Sequence, residues 1–316
     1  MHARFPLAAF AGLLCLAAAP ALAEIAVVAS IKPVHALTAA VMQGAGTPHL
    51  IVQGGASPHS VTLKPSDARA LQQARVVVWV GEGLEAFLVQ PLQTLAGGAV
   101  VVELAEAEGL TRLPYREGGA WEGHEEEDHA AEAQEDEHGH EEGDIDTHLW
   151  LDPQNAKAMV AAIAGALIAA DPENAGLYRA NAGRTAQRLD ALTREIAADL
   201  APVKEVPFVV FHDAFQYLDT AFGLNNVGSV TVAPEQPPGA ARLREIHAKI
   251  MTSGARCVFA EPQFEPRLVQ VVIEGTDAKT ATLDPLGAEI PDGPELYFTM
   301  MRENAAALKA CLGEAS

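Results

Sequence analysis

Cysteine is scarce: three in 316 residues, at positions 15, 257 and 311. That excludes a metal site of the C-x-x-C kind and a scaffold stapled by many disulfides. Basic residues are also few. Lys and Arg number 21 against 42 Asp and Glu, a formal charge of −21. Such a surface repels nucleic acid phosphates and anionic lipid, so neither is expected as a partner. After residue 23 no apolar run is long enough to span a bilayer. The H-E-x-x-H motif of zinc hydrolases is missing as well.

What is present starts with "MHARFPLAAFAGLLCLAAAPALA", residues 1–23. A basic start at Arg4, an apolar run and Ala21-Leu22-Ala23 read as a secretory leader cleaved before Glu24. Bulky Leu14 before Cys15 argues against a lipid anchor. An exported chain matures in an oxidising space and keeps only Cys257 and Cys311. One disulfide between them, closing 54 residues, is the simplest use of the pair. Two thiolates on a metal are the alternative.

Short β-branched runs alternate with longer helical patterns, the mark of parallel α/β units. Strands are expected at 25–29, 49–52, 75–81 and 99–104, with helices between them. A second strand–helix series follows from "PFVVF" to "KTATL", and a last helix covers about 294–313. Asp152-Pro153 and Asp171-Pro172 each read as an N-cap followed by proline at the first helical position. The second opens a helix expected over 171–203, long enough to act as a rigid connection. The fold class is therefore α/β. Two lobes (24–170 and 204–316), each a mainly parallel sheet of about four strands flanked by helices, are joined by one long helix.

Between about 112 and 147 the periodicity stops. Residues 117–147 hold 14 Asp or Glu and no Lys or Arg, with His124, His129, His138 and His140 among them. The segment reads as a solvated insertion, and short His-rich tracts often bind metal.

Ligands of open α/β sheets bind past the carboxyl ends of strands. His59 in "GGASPHS", His148 in "THLWLDP", His212 in "VFHDAF" and Asp284 in "TLDPLG" all sit at or near such places, two in each lobe. Three neutral imidazoles suit a borderline-soft ion such as Zn²⁺ better than Ca²⁺ or Mg²⁺. Taken singly, each has a plainer use. His212 could cap a helix, His59 could lie on the surface, His148 could end the acidic tract and Asp284 could make a turn. His35, His49 and His247 read as helix or surface residues.

Taken together, "ASIKPVHAL", "GGASPHSVTLKPSDARALQQARVVVWVG", "THLWLDPQNA", "VFHDAFQYL", "FAEPQF" and "TLDPLG" resemble the ZnuA group of periplasmic metal receptors of ABC importers. The resemblance implies two lobes about a long rigid helix, with the metal in the cleft between them. It implies His59, His148 and His212 as ligands and a membrane permease as partner. It implies a periplasmic, monomeric receptor and no enzyme. Asp284 is the expected fourth ligand, with water as its rival, because Pro58 stands where some members place a glutamate. Glu261 is expected to hydrogen-bond behind the ligands or between the lobes. A histidine at 212, where manganese-type relatives carry glutamate, favours zinc. The acidic tract becomes an auxiliary zinc-capturing loop. A manganese or iron receptor of the same fold and a three-His zinc hydrolase are the competing readings. Binding is expected to weaken below about pH 6.5 if the imidazoles are unperturbed.

Overall fold

The computed structural model describes residues 24–116, 145–231, 238–264 and 267–313. The leader and the four tract histidines lie outside the described residues.

The first lobe has strands β1 (Val27–Ala29), β2 (His49–Leu50), β3 (Val76–Trp79) and β4 (Val100–Glu103). Between them run helices α1 (Lys32–Met42), α2 (Pro65–Gln73) and α3 (Ala86–Leu95). All pairings are parallel, in the order β2-β1-β3-β4. The unbroken Val76–Trp79 run is buried throughout, as a central parallel strand must be.

Two helices follow: α4 (Pro153–Ala170), which packs on the first lobe, and α5 (Ala175–Leu200), which connects to the second. Asp152 caps α4 as expected, its Oδ1 accepting the Gln154 amide at 2.8 Å. Asp171 does not act in the same way. Its Oδ2 accepts from the Tyr178 hydroxyl (2.7 Å) and the Asn174 amide (2.8 Å). Pro172–Asn174 form a 3-10 turn, so the long helix starts at Ala175 rather than at 171. Its 26 residues span roughly 39 Å.

The second lobe repeats the first. Strands β5 (Phe208–His212), β6 (Asn226–Thr231), β7 (Cys257–Ala260) and β8 (Lys279–Thr282) pair in parallel in the order β6-β5-β7-β8. Helices α6 (Gln216–Phe222), α7 (Ala240–Ser253), α8 (Arg267–Ile273) and α9 (Leu296–Gly313) complete it. The disulfide joins Cys257 at the start of β7 to Cys311 in α9.

Helix α5 is not an isolated strut. It packs on α1 and α4 of the first lobe and on α9 of the second, and α1 also meets α9. Asn181 donates from α5 to the carbonyls of Val41 and Gln43. Further along, Arg188–Glu295, Arg302–Glu195 and Lys309–Asp199 pair α5 with α9 and its approach. One apolar core therefore runs from β1 and β3 through these helices to Phe208 and Val210 of β5. The alternate residues of β5, Val209 and Phe211, face a smaller core with Ile246 and Ile250 of α7 and Val269 and Val272 of α8. By the same alternation His212 falls on the side of Phe208 and Val210, towards the first lobe.

The insertion is shorter than the expected 112–147. Pro114 and Ile145 form an antiparallel bridge, and the Asp146 amide donates to the Leu113 carbonyl at 2.8 Å. The Leu113 amide donates to the Tyr217 hydroxyl. Arg116 reaches Asp219 at 2.8 Å. Asp146 and Thr147, read in the sequence as part of a solvated run, are buried.

Candidate metal centre

Three imidazoles converge where the lobes meet. His59 comes from the 51–64 loop after β2. His148 immediately precedes a 3-10 turn over Leu149–Leu151. His212 ends β5. One nitrogen from each lies within 4.8 Å of the others. Ring centroids are 5.1 Å apart for His148–His212, 5.6 Å for His59–His148 and 5.8 Å for His59–His212. Among the described residues no other group of three or more His, Cys, Asp or Glu meets this condition.

Buried carboxylates set two of the tautomers. His148 Nδ1 lies 2.7 Å from Asp146 Oδ1, which also accepts the His148 amide. His212 Nδ1 lies 2.8 and 2.9 Å from the two oxygens of Glu261, and its amide donates to Glu261 Oε1 at 3.1 Å. Ionised, as a divalent cation nearby favours, a carboxylate can only accept, so each Nδ1 then carries the hydrogen and each Nε2 keeps a lone pair. Those two Nε2 atoms face one another at 3.3 Å. Two acceptors at that separation repel unless an electrophile lies between them. Tetrahedral zinc with Zn–N bonds of about 2.0–2.1 Å places its nitrogens roughly 3.3–3.4 Å apart.

His59 differs. Its Nε2 is buried without a partner, and among the described residues no carboxylate hydrogen-bonds to the ring. Burial, then the neighbouring His148 and His212, lowers its pKa to about 2. The ring is therefore neutral across the physiological range, with a lone pair to offer. Glu261 is pushed the other way, up to about 8, by burial, partly offset by the His212 amide.

Around the rings lies a cavity of about 10 Å³, lined by Ser57, Pro58, Trp150, Gln263, Phe264, Pro285 and Leu286 besides the histidines and Glu261. That is about the room one water molecule needs, and enough for an ion.

Asp284 is not brought into this group. Its Oδ1 accepts the amides of Leu286 (3.0 Å) and Gly287 (2.9 Å) and the Gln263 side chain (3.0 Å), and Oδ2 accepts the Ala288 amide (2.6 Å). The carboxylate is spent on closing a turn, one layer behind the cavity. Glu261, by contrast, stands directly behind His212. Asp146 escaped the sequence reading because it sits at the end of a run of carboxylates. The signal was its place two residues before His148 and directly after Ile145, where the charge run ends. His35 donates from Nε2 to the Pro48 carbonyl, His49 pairs with Asp67, and His247 donates to the Val272 carbonyl, all away from the cluster.

A family model described as "Zinc-uptake complex component A periplasmic" matches residues 27–311. The high-affinity zinc uptake system protein ZnuA of Brucella suis is 51% identical over 309 residues, covering 91% of this chain and 92% of that one. The protein of the same name from Yersinia pestis is 36% identical, covering 92% of each. Among solved structures, a laminin-binding protein of Streptococcus agalactiae, described as a bifunctional protein with adhesin and metal transporting activity, superposes with a TM-score of 0.73. It is 27% identical, covering 91% of this chain and 99% of that one. With its fold, its cleft histidines and these likenesses, the chain belongs to the ZnuA family of periplasmic zinc-uptake components.

Proposed function

We propose that this protein is a periplasmic receptor that holds one Zn²⁺ between its lobes and delivers it to the membrane permease of an ABC importer. His59, His148 and His212 bind the ion through Nε2. The observation that carries the reading is the pair of lone-pair-bearing Nε2 atoms held face to face at 3.3 Å. The protein conducts no reaction in this proposal; the ion is cargo.

The donor set argues for zinc over manganese, because it offers three nitrogens and no carboxylate oxygen. Asp146 and Glu261 stand directly behind two of the rings. A divalent cation bound on the far side of His212 favours the charged form of Glu261 that burial alone disfavours, and ionised acceptors there raise the basicity of the ligands. Asp284 shapes the turn that walls the cavity, and water completes the coordination. Arg116, Asp146 and the Pro114–Ile145 bridge root the acidic insertion beside the site. Its histidines His124, His129, His138 and His140 capture zinc more weakly and raise its concentration at the cleft. The leader directs export and is removed before Glu24.

The test is a chelator-competed titration with Zn²⁺ and Mn²⁺. One tight zinc per chain is expected, displaced little by manganese, and His148→Ala is expected to lose it. Tight binding that survives both His148→Ala and His212→Ala would place the site elsewhere. A preference for manganese would overturn the nitrogen-donor argument.

A further inference from the structure

His148 and His212 are each locked by a carboxylate, whereas His59 makes no side-chain hydrogen bond among the described residues. Beyond Val52, which like Ile51 donates its amide to the β1 side, its 51–64 loop is also sparsely tied. The internal backbone bonds are long, at 3.4 Å for Ala56 to Gln53 and 3.2 Å for Ser60 to Ser57. Something outside the loop must hold the ring in place.

The 284–290 segment, between β8 and α9, is placed to do so. Ala288 lies against Gly55 of the His59 loop, 3.8 Å from where a β-carbon would stand on that glycine. Pro285 and Leu286 line the ion cavity directly. The segment is anchored from the other lobe at two points. Trp150 Nε1 donates to the Pro285 carbonyl at 2.7 Å. Lys32, the first residue of α1, donates from Nζ to the carbonyls of Ala288 (2.9 Å) and Ile290 (2.8 Å). The same ammonium stands 3.4 Å from Asp292. Lys32 is 5% exposed. A lysine is almost never buried to that degree without dedicated partners, and here all three ammonium hydrogens have an acceptor within reach. The helix start needs no such group, since Pro33 already suits its first turn.

We infer that Lys32 is a positioning residue for the metal site, pinning the 284–290 wall against the His59 loop and so setting how slowly the ion leaves. The inference rests on the three-histidine reading above. The ammonium reaches across from one lobe to main-chain carbonyls of the other, so it acts on the closed cleft and not on entry of the ion. Gly287 gives an independent handle. Its φ is +69°, and an added β-carbon would meet Leu296 at 3.2 Å, so Gly287→Ala strains the same wall without touching Lys32.

The experiment is stopped-flow zinc release into excess chelator, with association rates and the thermal stability of the metal-free protein measured alongside. Wild type, Lys32→Met, Lys32→Arg, Gly287→Ala and His148→Ala are compared as full mature chains. Lys32→Met and Gly287→Ala are expected to release zinc about tenfold faster, with association unchanged within about twofold. Lys32→Arg, which keeps the charge and donors, should fall between them and wild type. If Lys32→Met lowers thermal stability but leaves the release rate alone, Lys32 is merely structural and the inference fails. It also fails if the change lies in association. Should Lys32→Met not fold, Lys32→Arg and Gly287→Ala decide the matter by their release rates. If wild type itself shows no tight zinc, or His148→Ala keeps it, the receptor reading fails instead.

Discussion

At the scale of single residues, the site depends on groups that never need to touch the ion. Asp146 and Glu261 hold the Nδ1 hydrogens of His148 and His212, which leaves both Nε2 lone pairs turned inward. Outer partners of this kind are worth about 10–100-fold in metal affinity. Asp146→Ala and Glu261→Ala are therefore expected to weaken zinc by that factor while one ion per chain still binds, which the chelator titration reads directly. A fall in stoichiometry to zero would make either residue a ligand. Glu85 poses a separate question of stability. It is fully buried and accepts the amides of Val80 (3.0 Å) and Gly81 (2.9 Å), with no salt-bridge partner among the described residues. Burial, partly offset by hydrogen bonds, raises its pKa from 4.5 to about 7. Below 4.5 the group is protonated in both states. Between 4.5 and 7 the unfolded chain has lost the proton that the folded chain keeps, so stability falls as pH rises. The loss amounts to roughly 3 kcal/mol by pH 7. Glu85→Gln escapes it and should be the more stable protein in urea at pH 8, the difference closing by pH 4.5. An equal difference at both pH values would show that burial does not govern this carboxyl.

At the scale of elements, most of the fold was legible. Runs such as Val76–Trp79 and Phe208–His212 announce buried strands, and Asp152-Pro153 announces α4, because burial and capping act locally. Asp171-Pro172 misled for an equally local reason: the Tyr178 hydroxyl took the carboxylate that should have capped the helix. The three histidines were visible as strand-end residues, but no spacing links positions 59, 148 and 212, and only the family resemblance joined them in advance. Asp284 shows the limit of that route. The residue type is right for a ligand, but the three following amides compete for its oxygens, and a sequence does not display that competition. The insertion was over-extended because charge alone cannot show where a chain docks again. The Pro114–Ile145 bridge brings its two ends together. Replacing 117–144 by a short glycine linker should therefore leave the fold and the tight zinc intact, while removing any weaker zinc from the titration. Loss of the tight ion in that variant would move the primary site into the tract.

At the scale of the whole molecule, the helices decide how the lobes behave. Receptors with separate lobe cores can close about a hinge, and each lobe can melt alone. Here α5 packs on α1 and α4 of the first lobe and on α9 of the second, and a single buried cluster runs from Val27 to Leu312. Phe208 and Val210 belong to that shared core, so one side of the second lobe's central strand is buried in the same cluster as the first lobe's sheet. The Cys257–Cys311 bridge pins β7 to α9 on the same side and contributes about 4 kcal/mol by the loop-entropy argument. Unfolding should then be one transition, with equal calorimetric and van't Hoff enthalpies. Saturating zinc, which binds only the folded state, should move that transition upward as a unit. Two resolved transitions, only one of them shifted by zinc, would mean that the lobes are independent and that the shared core does not couple them. A single shifted transition would instead locate ion release in small movements of the cavity walls, since the lobes then have no cheap way to part.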